Sequence, residues 1–262
     1  MWWGPVRNTS EPRPLLPGPV RAAGAALLAA CVATVLVAFV AGRGNPGRLD
    51  TALDPRFQSW LGRFPALLHQ LPRLGGLKEV ALMTAALALA FVATRRWSGA
   101  VLALVAVPGA VGLTEYVLKP SVGAVLHQAF PSGHATSSFA LAAVFAILLT
   151  DPAYRRVPGA LRLLLVLVAL LLATAVAATM IAIGAHVFTD AVAGAAVGTG
   201  VVLACALTLD LAVGRAHRPP AEQSDPVHQT KPAGSQYVMD AATGARLPNR
   251  SPGGEHPPRP AY

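Results

Sequence analysis

Charge is what this chain has least of. Asp, Glu, Lys and Arg make up 13% of its 262 residues, where soluble domains carry roughly 25%. A soluble fold of this length would bury a large core and still need a charged shell, which 54% apolar composition does not supply. Cysteine is also scarce. Cys31 and Cys205 both fall inside apolar runs, so they read as small apolar side chains, and neither a disulfide framework nor a thiolate metal pair is indicated. No Walker-type or dinucleotide-binding glycine pattern occurs, and no internal repeat. Acidic residues are few, 12 against 21 Lys and Arg, for a net charge of +9. The basic residues are scattered over tails and loops without a basic domain or an aromatic-basic face. Nucleic acid is therefore not an expected partner, and anionic lipid headgroups account for the charge.

Long apolar runs are what the chain does have. Stretches of about 20 residues poor in charge mark membrane-spanning helices. Six occur here: Ala22–Ala41, Leu77–Thr94, Gly99–Leu118, Ala135–Thr150, Leu163–Ala185, and a last one from near His186 to near Gly214. The expected fold is an all-α polytopic membrane protein, a six-helix bundle over 21–214 between a tail at 1–20 and a tail at 215–262. Pro108-Gly109 should kink the third helix, which a bilayer tolerates. The first span exceeds the apolar core of a secretory signal and lacks a small-residue cleavage site after it, so it reads as a retained helix. The C-terminal tail is rich in Pro, Gly and polar groups and reads as disordered.

Arginines orient the bundle. Those of the N-terminal tail, the Arg95-Arg96 turn, the Arg155-Arg156 turn and the C-terminal tail fall on one side of a six-helix arrangement. Short loops rich in Lys and Arg stay cytoplasmic, which puts both termini on the cytoplasmic side of the cell membrane and the 184–189 connection outside. The first loop, 42–76, runs against this rule with Arg43, Arg48, Arg56, Arg63 and Arg73, which Asp50 and Asp54 offset little. Within it, Leu53–Leu74 interleaves Phe57, Trp60, Phe64 and leucines with arginines at spacings of three and four. That pattern fits an amphipathic helix lying in the interface, split by Pro65 and Pro72, or a loop packed on the bundle.

Two polar clusters stand at the mouths of apolar runs: Phe130-Pro131-Ser132-Gly133-His134 before the fourth span and His186-Val187-Phe188-Thr189-Asp190 before the sixth. Both should open on the outer face. Helix N-termini present unpaired N–H groups and a positive dipole end, which suits an anion such as phosphate. Gly133 lets backbone approach closely, the Ser132 hydroxyl can donate, and Lys119 at the outer end of the third helix adds a point charge. His186 and Asp190 share one helix face at i and i+4, so the carboxylate can hold one imidazole nitrogen and leave the other as nucleophile. His134 is then the general acid toward the leaving oxygen. Taken singly, Pro-Ser-Gly-His has a plain N-cap as its lesser alternative, whereas His186/Asp190 reads at least as readily as a structural pair. Glu115 is a functional candidate as an intramembrane carboxylate, and it stands one turn from Lys119, with which it can pair.

The order and spacing of these residues resemble the type 2 phosphatidic acid phosphatase (PAP2) superfamily, whose motifs read Lys-x6-Arg-Pro, Pro-Ser-Gly-His and Ser-Arg-x5-His-x3-Asp. Here they correspond to Lys119, to Pro131–His134 and to 179–190, and the resemblance extends over roughly residues 50–210. It implies a six-helix membrane enzyme in which His186 forms a phosphohistidine, Asp190 orients it and His134 protonates the leaving group. Lys119, Ser132 and the Gly133 amide would hold the phosphoryl oxygens, with no metal or other cofactor. The chain departs from the motifs at two places. The first-motif Arg-Pro falls at Leu126-His127, and the third-motif Ser-Arg at Thr179-Met180, so both phosphate-clamping arginines are missing. Bidentate arginine contacts are strong and geometrically specific. The leading expectation is an outer-leaflet phosphatase for a lipid phosphate or polyprenyl diphosphate such as undecaprenyl diphosphate; the alternatives are a phosphotransferase using the same residues and a non-catalytic binder of lipid phosphates.

Overall fold

The computed structural model describes residues 15–16, 18–41, 47–122, 130–150, 157–216, 237–239 and 246–248. The chain divides into two units, Met1–His217 and Arg218–Tyr262. Among the described residues the first unit is wholly helical. Its elements are α1 Gly18–Ala41, α2 Arg48–Leu61, α3 Pro65–Leu74, α4 Leu77–Ala93, α5 Trp97–Gly112, a π-helical segment Leu113–Leu118, α6 Lys119–Val122, α7 Gly133–Thr150, α8 Gly159–Ala182 and α9 Phe188–Ala216. In the second unit, β1 Tyr237–Met239 and β2 Arg246–Pro248 pair antiparallel with Val238 opposite Leu247. The tail expected to be disordered thus holds a short strand pair, and its remainder from 217 lies outside the described residues, as do 1–14.

By length and composition, four helices can each cross a membrane: Val20–Ala41, Trp97–Val122, Gly159–Ala182 and Phe188–Ala212. A fifth span exists if α3 and α4 are taken together across their 55° bend. The apolar helix Gly133–Leu149 is shorter. Six spans were expected and four to five meet the requirement, because the fourth apolar run is cut short by the polar motif before it and the second begins only after the Gly75-Gly76 break.

Local chemistry explains the boundaries. Gly47 precedes α2, and Asp50 reaches back to the Gly47 N–H at 3.0 Å, one half of a capping box. Pro65 takes the first position of α3, where its missing N–H costs nothing. The break expected at Pro65 is therefore present, whereas Pro72 stays inside the last turn of α3. Likewise α5 continues through Pro108 to Gly112, and the irregular helix falls downstream, in the π-helical segment. At the end of α8, Gly184 adopts φ +72. The Ala185 N–H then bonds Met180 O at 3.0 Å and the Gly184 N–H bonds Ile181 O at 3.0 Å, a Schellman motif that stops the helix.

The core is built by α7 and α9, with α5, α4 and α1 against them. α9 carries Gly194 and Gly198 one turn apart. A Cβ at Gly194 would strike the Ser132 carbonyl, and one at Gly198 the Thr136 carbonyl. These two glycines let the backbones of α7 and α9 touch, the small-residue packing that membrane helices use in place of a hydrophobic driving force. α2 and α3, the first-loop helices, pack on α8, and α2 also reaches α9.

At the end opposite the motifs, Asp210 of α9 is buried. It accepts the N–H groups of Leu15 at 2.6 Å and Leu16 at 2.9 Å, and the Arg21 Nε at 3.3 Å. Asp210 thus fastens the start of α1. The same bonds put Leu15 and the C-terminal part of α9 at one end of the bundle.

Candidate active site

The two motif loops meet at one backbone hydrogen bond. The Ser132 N–H donates to the Asp190 carbonyl at 3.0 Å, which fixes the entry of α7 against the first turn of α9. Ser132 is fully buried, and its Oγ accepts the Ala135 N–H at 3.4 Å. The N-cap reading of this serine therefore holds, and its hydroxyl hydrogen is still available as a donor. Thr136 hydroxyl donates to the Ser132 carbonyl at 2.9 Å and pairs with Thr114 Oγ1 at 3.1 Å, both fully buried. That pair ties α7 to the π-helical segment bearing Glu115.

His186 lies in the turn before α9 rather than in the helix. Its Nδ1 stands 3.4 Å from Asp190 Oδ2, and the same oxygen accepts the Val187 N–H at 3.3 Å. The imidazole is nearly buried and Asp190 completely so. The Asp190 carboxylate thus faces Nδ1, and Nε2 is the ring nitrogen turned away from it. Such contacts are long in unliganded sites and tighten on binding.

The first amides of α9 are already occupied. Asp54 Oδ1 accepts the Phe188 N–H at 3.0 Å, and Asp50 Oδ1 accepts the Thr189 N–H at 2.9 Å. Asp50 Oδ2 also takes the Thr189 hydroxyl at 3.1 Å. Phe57, one further turn along α2, stacks on Phe188 with centroids 6.2 Å apart. Burial pushes the Asp54 carboxyl above the ordinary aspartate range; the Phe188 amide opposes this, and the charges of Asp50 and Asp190 add to it. The expectation that the mouth of α9 is an open anion site is corrected here. Its positive end is filled by the chain's own carboxylates, which removes those amides from any ligand.

At the mouth of α7 the situation differs. Lys119 Nζ lies 2.7 Å and 2.8 Å from the two oxygens of Glu115. The Glu115 carboxylate also lies against Gly133, in the space a Cβ would need. His134, the second residue of α7, lies within electrostatic range of His186, Lys119 and Glu115. Its ring packs on Gly75 at the α3–α4 bend, and Ser137 donates to the Gly75 carbonyl at 3.2 Å. The structure therefore brings together all six residues singled out in the sequence: His134, His186, Asp190, Lys119, Ser132 and Gly133. Among the described residues, no group of three or more His, Cys, Asp or Glu is placed to hold a metal ion.

The two missing-arginine positions differ in what can be said. Leu126 and His127 lie outside the described residues. Thr179 and Met180 are buried near the end of α8, and the Met180 carbonyl accepts the His186 N–H at 3.2 Å. Sequence reasoning missed Asp50 and Asp54, which entered only as weak counter-charges. Their spacing at 50, 54 and 57 with an aromatic was the available sign that one face of α2 docks onto another helix end.

Below the site runs an apolar groove of about 410 Å³ between α3–α4, α7 and α8, lined by Leu74, Met83, Leu87, Phe145 and Leu172 among others. Its polar member is Ser138, buried and without a hydrogen-bond partner among the described residues. Ser138 stands one helical turn past His134 on the same face of α7.

A family model described as the PAP2 superfamily matches residues 20–212. No curated protein and no solved structure matches the chain. The matched stretch takes in every helix from α1 to most of α9 and all six site residues, and the chain belongs to the PAP2 superfamily.

Proposed function

We propose that this protein is a membrane phosphatase that removes phosphate from a lipid phosphate monoester or diphosphate, through a phosphohistidine on His186. Superfamily membership supports phosphatase-type chemistry. The observation that carries the mechanism is the joining of the two motif loops, Ser132 N–H to Asp190 carbonyl, with His186 Nδ1 facing the buried Asp190 carboxylate. In this reading Nε2 of His186 attacks phosphorus as the bond to the leaving oxygen breaks. His134 gives that oxygen its proton, then takes one from the water that cleaves the P–N bond. Lys119 and the first amides of α7 hold the phosphoryl oxygens, since those of α9 are taken.

A lipid substrate is supported by the groove. On α7 it begins at Ser138, one helical turn past His134, continues along the same face and is almost entirely apolar. From Ser138 to Leu148 it follows about 15 Å of helix, half of a hydrocarbon core of roughly 30 Å, so one chain from one leaflet fits it. The asymmetry of arginines in the short loops supports an extracytoplasmic site in the cell membrane.

The test is phosphate release by the purified protein in detergent from a panel of lipid phosphates and diphosphates, in chelator. Release that His186→Ala abolishes is the expected result. No release from any lipid, or release indifferent to that change, overturns the enzymatic reading. A non-catalytic lipid-phosphate binder then remains, a role favoured by Met180 in the arginine position.

A further inference from the structure

Among the described residues of the motifs, Lys119 is the one lysine or arginine, and it is already paired with a carboxylate. Glu115 presents both carboxylate oxygens to its ammonium at 2.7 Å and 2.8 Å. The same carboxylate occupies the space over Gly133, the residue whose missing side chain is what lets an anion approach the start of α7. A carboxylate bound by an ammonium over a helix N-terminus has the charge, oxygen geometry and position of a bound phosphate. Two turns of geometry produce this. Glu115 and Lys119 lie at i and i+4, and the Thr114–Thr136 hydroxyl pair holds the π-helical segment against α7 one residue before Glu115.

We infer that Glu115 is a specificity-determining residue, an internal anion that makes the site take phosphate only by exchange and so select against free phosphate and tail-less esters. This rests on the proposed lipid-phosphate site. Incoming phosphate displaces the Glu115 carboxylate from Lys119, so one ion pair is lost for each one formed. With no arginine supplied at 180, little of the headgroup's charge is left as net binding energy. The surplus must come from remote, non-reacting parts of the ligand, which here means a hydrocarbon chain in the groove between α4, α7 and α8. Inorganic phosphate, the product of hydrolysis, has no such part and leaves readily. The carboxylate and the absent arginines act in the same direction.

The experiment measures binding rather than turnover, so it is independent of whether the protein hydrolyses anything. Orthovanadate, inorganic phosphate and a single-chain lipid phosphate are titrated into the purified full chain in neutral detergent, for the native protein, Glu115→Gln and Glu115→Ala. Both variants are expected to bind vanadate and phosphate at least about 10-fold more tightly, while lipid-phosphate affinity rises less, so the preference for the tailed ligand falls. The gain should vanish in Glu115→Gln/Lys119→Met, and salt should weaken vanadate binding more steeply in the single variants than in the native protein. Vanadate and phosphate affinities unchanged or lower in whichever variant is folded overturn the inference. So does a gain that survives loss of Lys119. If the variants gain affinity while no lipid is hydrolysed, the phosphatase reading fails and the role of Glu115 stands.

Discussion

Asp50 is the most consequential residue outside the motifs, and Asp50→Asn tests why. The side chain is buried at 1% exposure. It accepts three hydrogen bonds besides its place in the α9 dipole: the Thr189 N–H at 2.9 Å, the Thr189 hydroxyl at 3.1 Å and the Gly47 N–H at 3.0 Å. Asparagine keeps the volume and one oxygen. Whichever way its amide is turned, an NH2 group faces a backbone donor. Hydrogen bonds to a charged acceptor contribute about 1.5–3 kcal/mol each, and a buried donor left unpaired costs about 1–3 kcal/mol. Losing the charge at a helix N-terminus adds about 0.3–1 kcal/mol. The lost charged bond and the helix-end charge together make the expected loss about 2–4 kcal/mol. It falls on the turn that carries His186 and Asp190, so it should show in kcat as well as in stability. Thermal unfolding in detergent and the initial rate of phosphate release, resolved into kcat and KM, give the two readouts. A drop in kcat of at least about 10-fold with KM within about threefold is expected at a temperature where the variant is folded. Native stability together with native kcat would refute the positioning role, and reduced stability with native kcat would reduce Asp50 to a structural clamp.

Asp54→Asn should behave oppositely to its neighbour. Because the folded-state pKa of Asp54 is raised by burial, the native state binds that proton more tightly than the unfolded chain does. Its contribution to stability is present at low pH and is lost as pH rises from the unfolded aspartate value of about 3.9 through the raised folded one. Asparagine keeps an acceptor for the Phe188 amide and never ionises, so the variant should lose that decline and match or exceed native stability at neutral pH; a variant with the native pH dependence contradicts this. Gly198→Ala places a methyl group against the Thr136 carbonyl and should cost about 1–3 kcal/mol in unfolding as α7 and α9 separate, whereas an unchanged melting temperature would mean the helices are not in backbone contact. Met180→Arg puts a guanidinium at the family's clamp position beside the His186 turn. It should tighten vanadate binding in titration, and weaker binding would show that the end of α8 has been rebuilt around the apolar side chain.

What the sequence made legible follows from how far each signal reaches along the chain. Apolar runs are local, so α1, α5, α8 and α9 were readable within a few residues, and the motif residues could be assigned to helix mouths. The order Lys119, Pro131–His134, His186–Asp190 was enough to predict that they share a site. Contacts between distant segments were not readable. Asp50 and Asp54 lie over a hundred positions from the amides they occupy, and nothing in their neighbourhood names Phe188 and Thr189 as partners. Pro108 misled because proline weakens a helix without fixing where the irregularity falls, and it appeared after Gly112 instead. The Glu115–Lys119 pair was anticipated from spacing alone. Its position over Gly133 depends on the π-helical segment, which rotates the side chains around the helix and has no signature in composition.

Among the described helices α9 is the last in chain order, and both of its ends are fastened to the first third of the chain. Asp210 grips Leu15, Leu16 and the Arg21 side chain, while Phe188 and Thr189 are gripped by Asp54 and Asp50. Until α9 is inserted, the buried Asp50 and the half-buried Asp54 of α2 have no donors from α9 and the amides before α1 have no acceptor. A nascent chain stopped before α9 therefore holds unsatisfied polar groups at both ends of the bundle. That is a state that membrane quality-control proteases can recognise, and one that completing α9 resolves in a single step. α9 closes the bundle at both ends, so a C-terminal truncation into α9 should be cleared by the cell far more readily than the loss of the tail beyond 217.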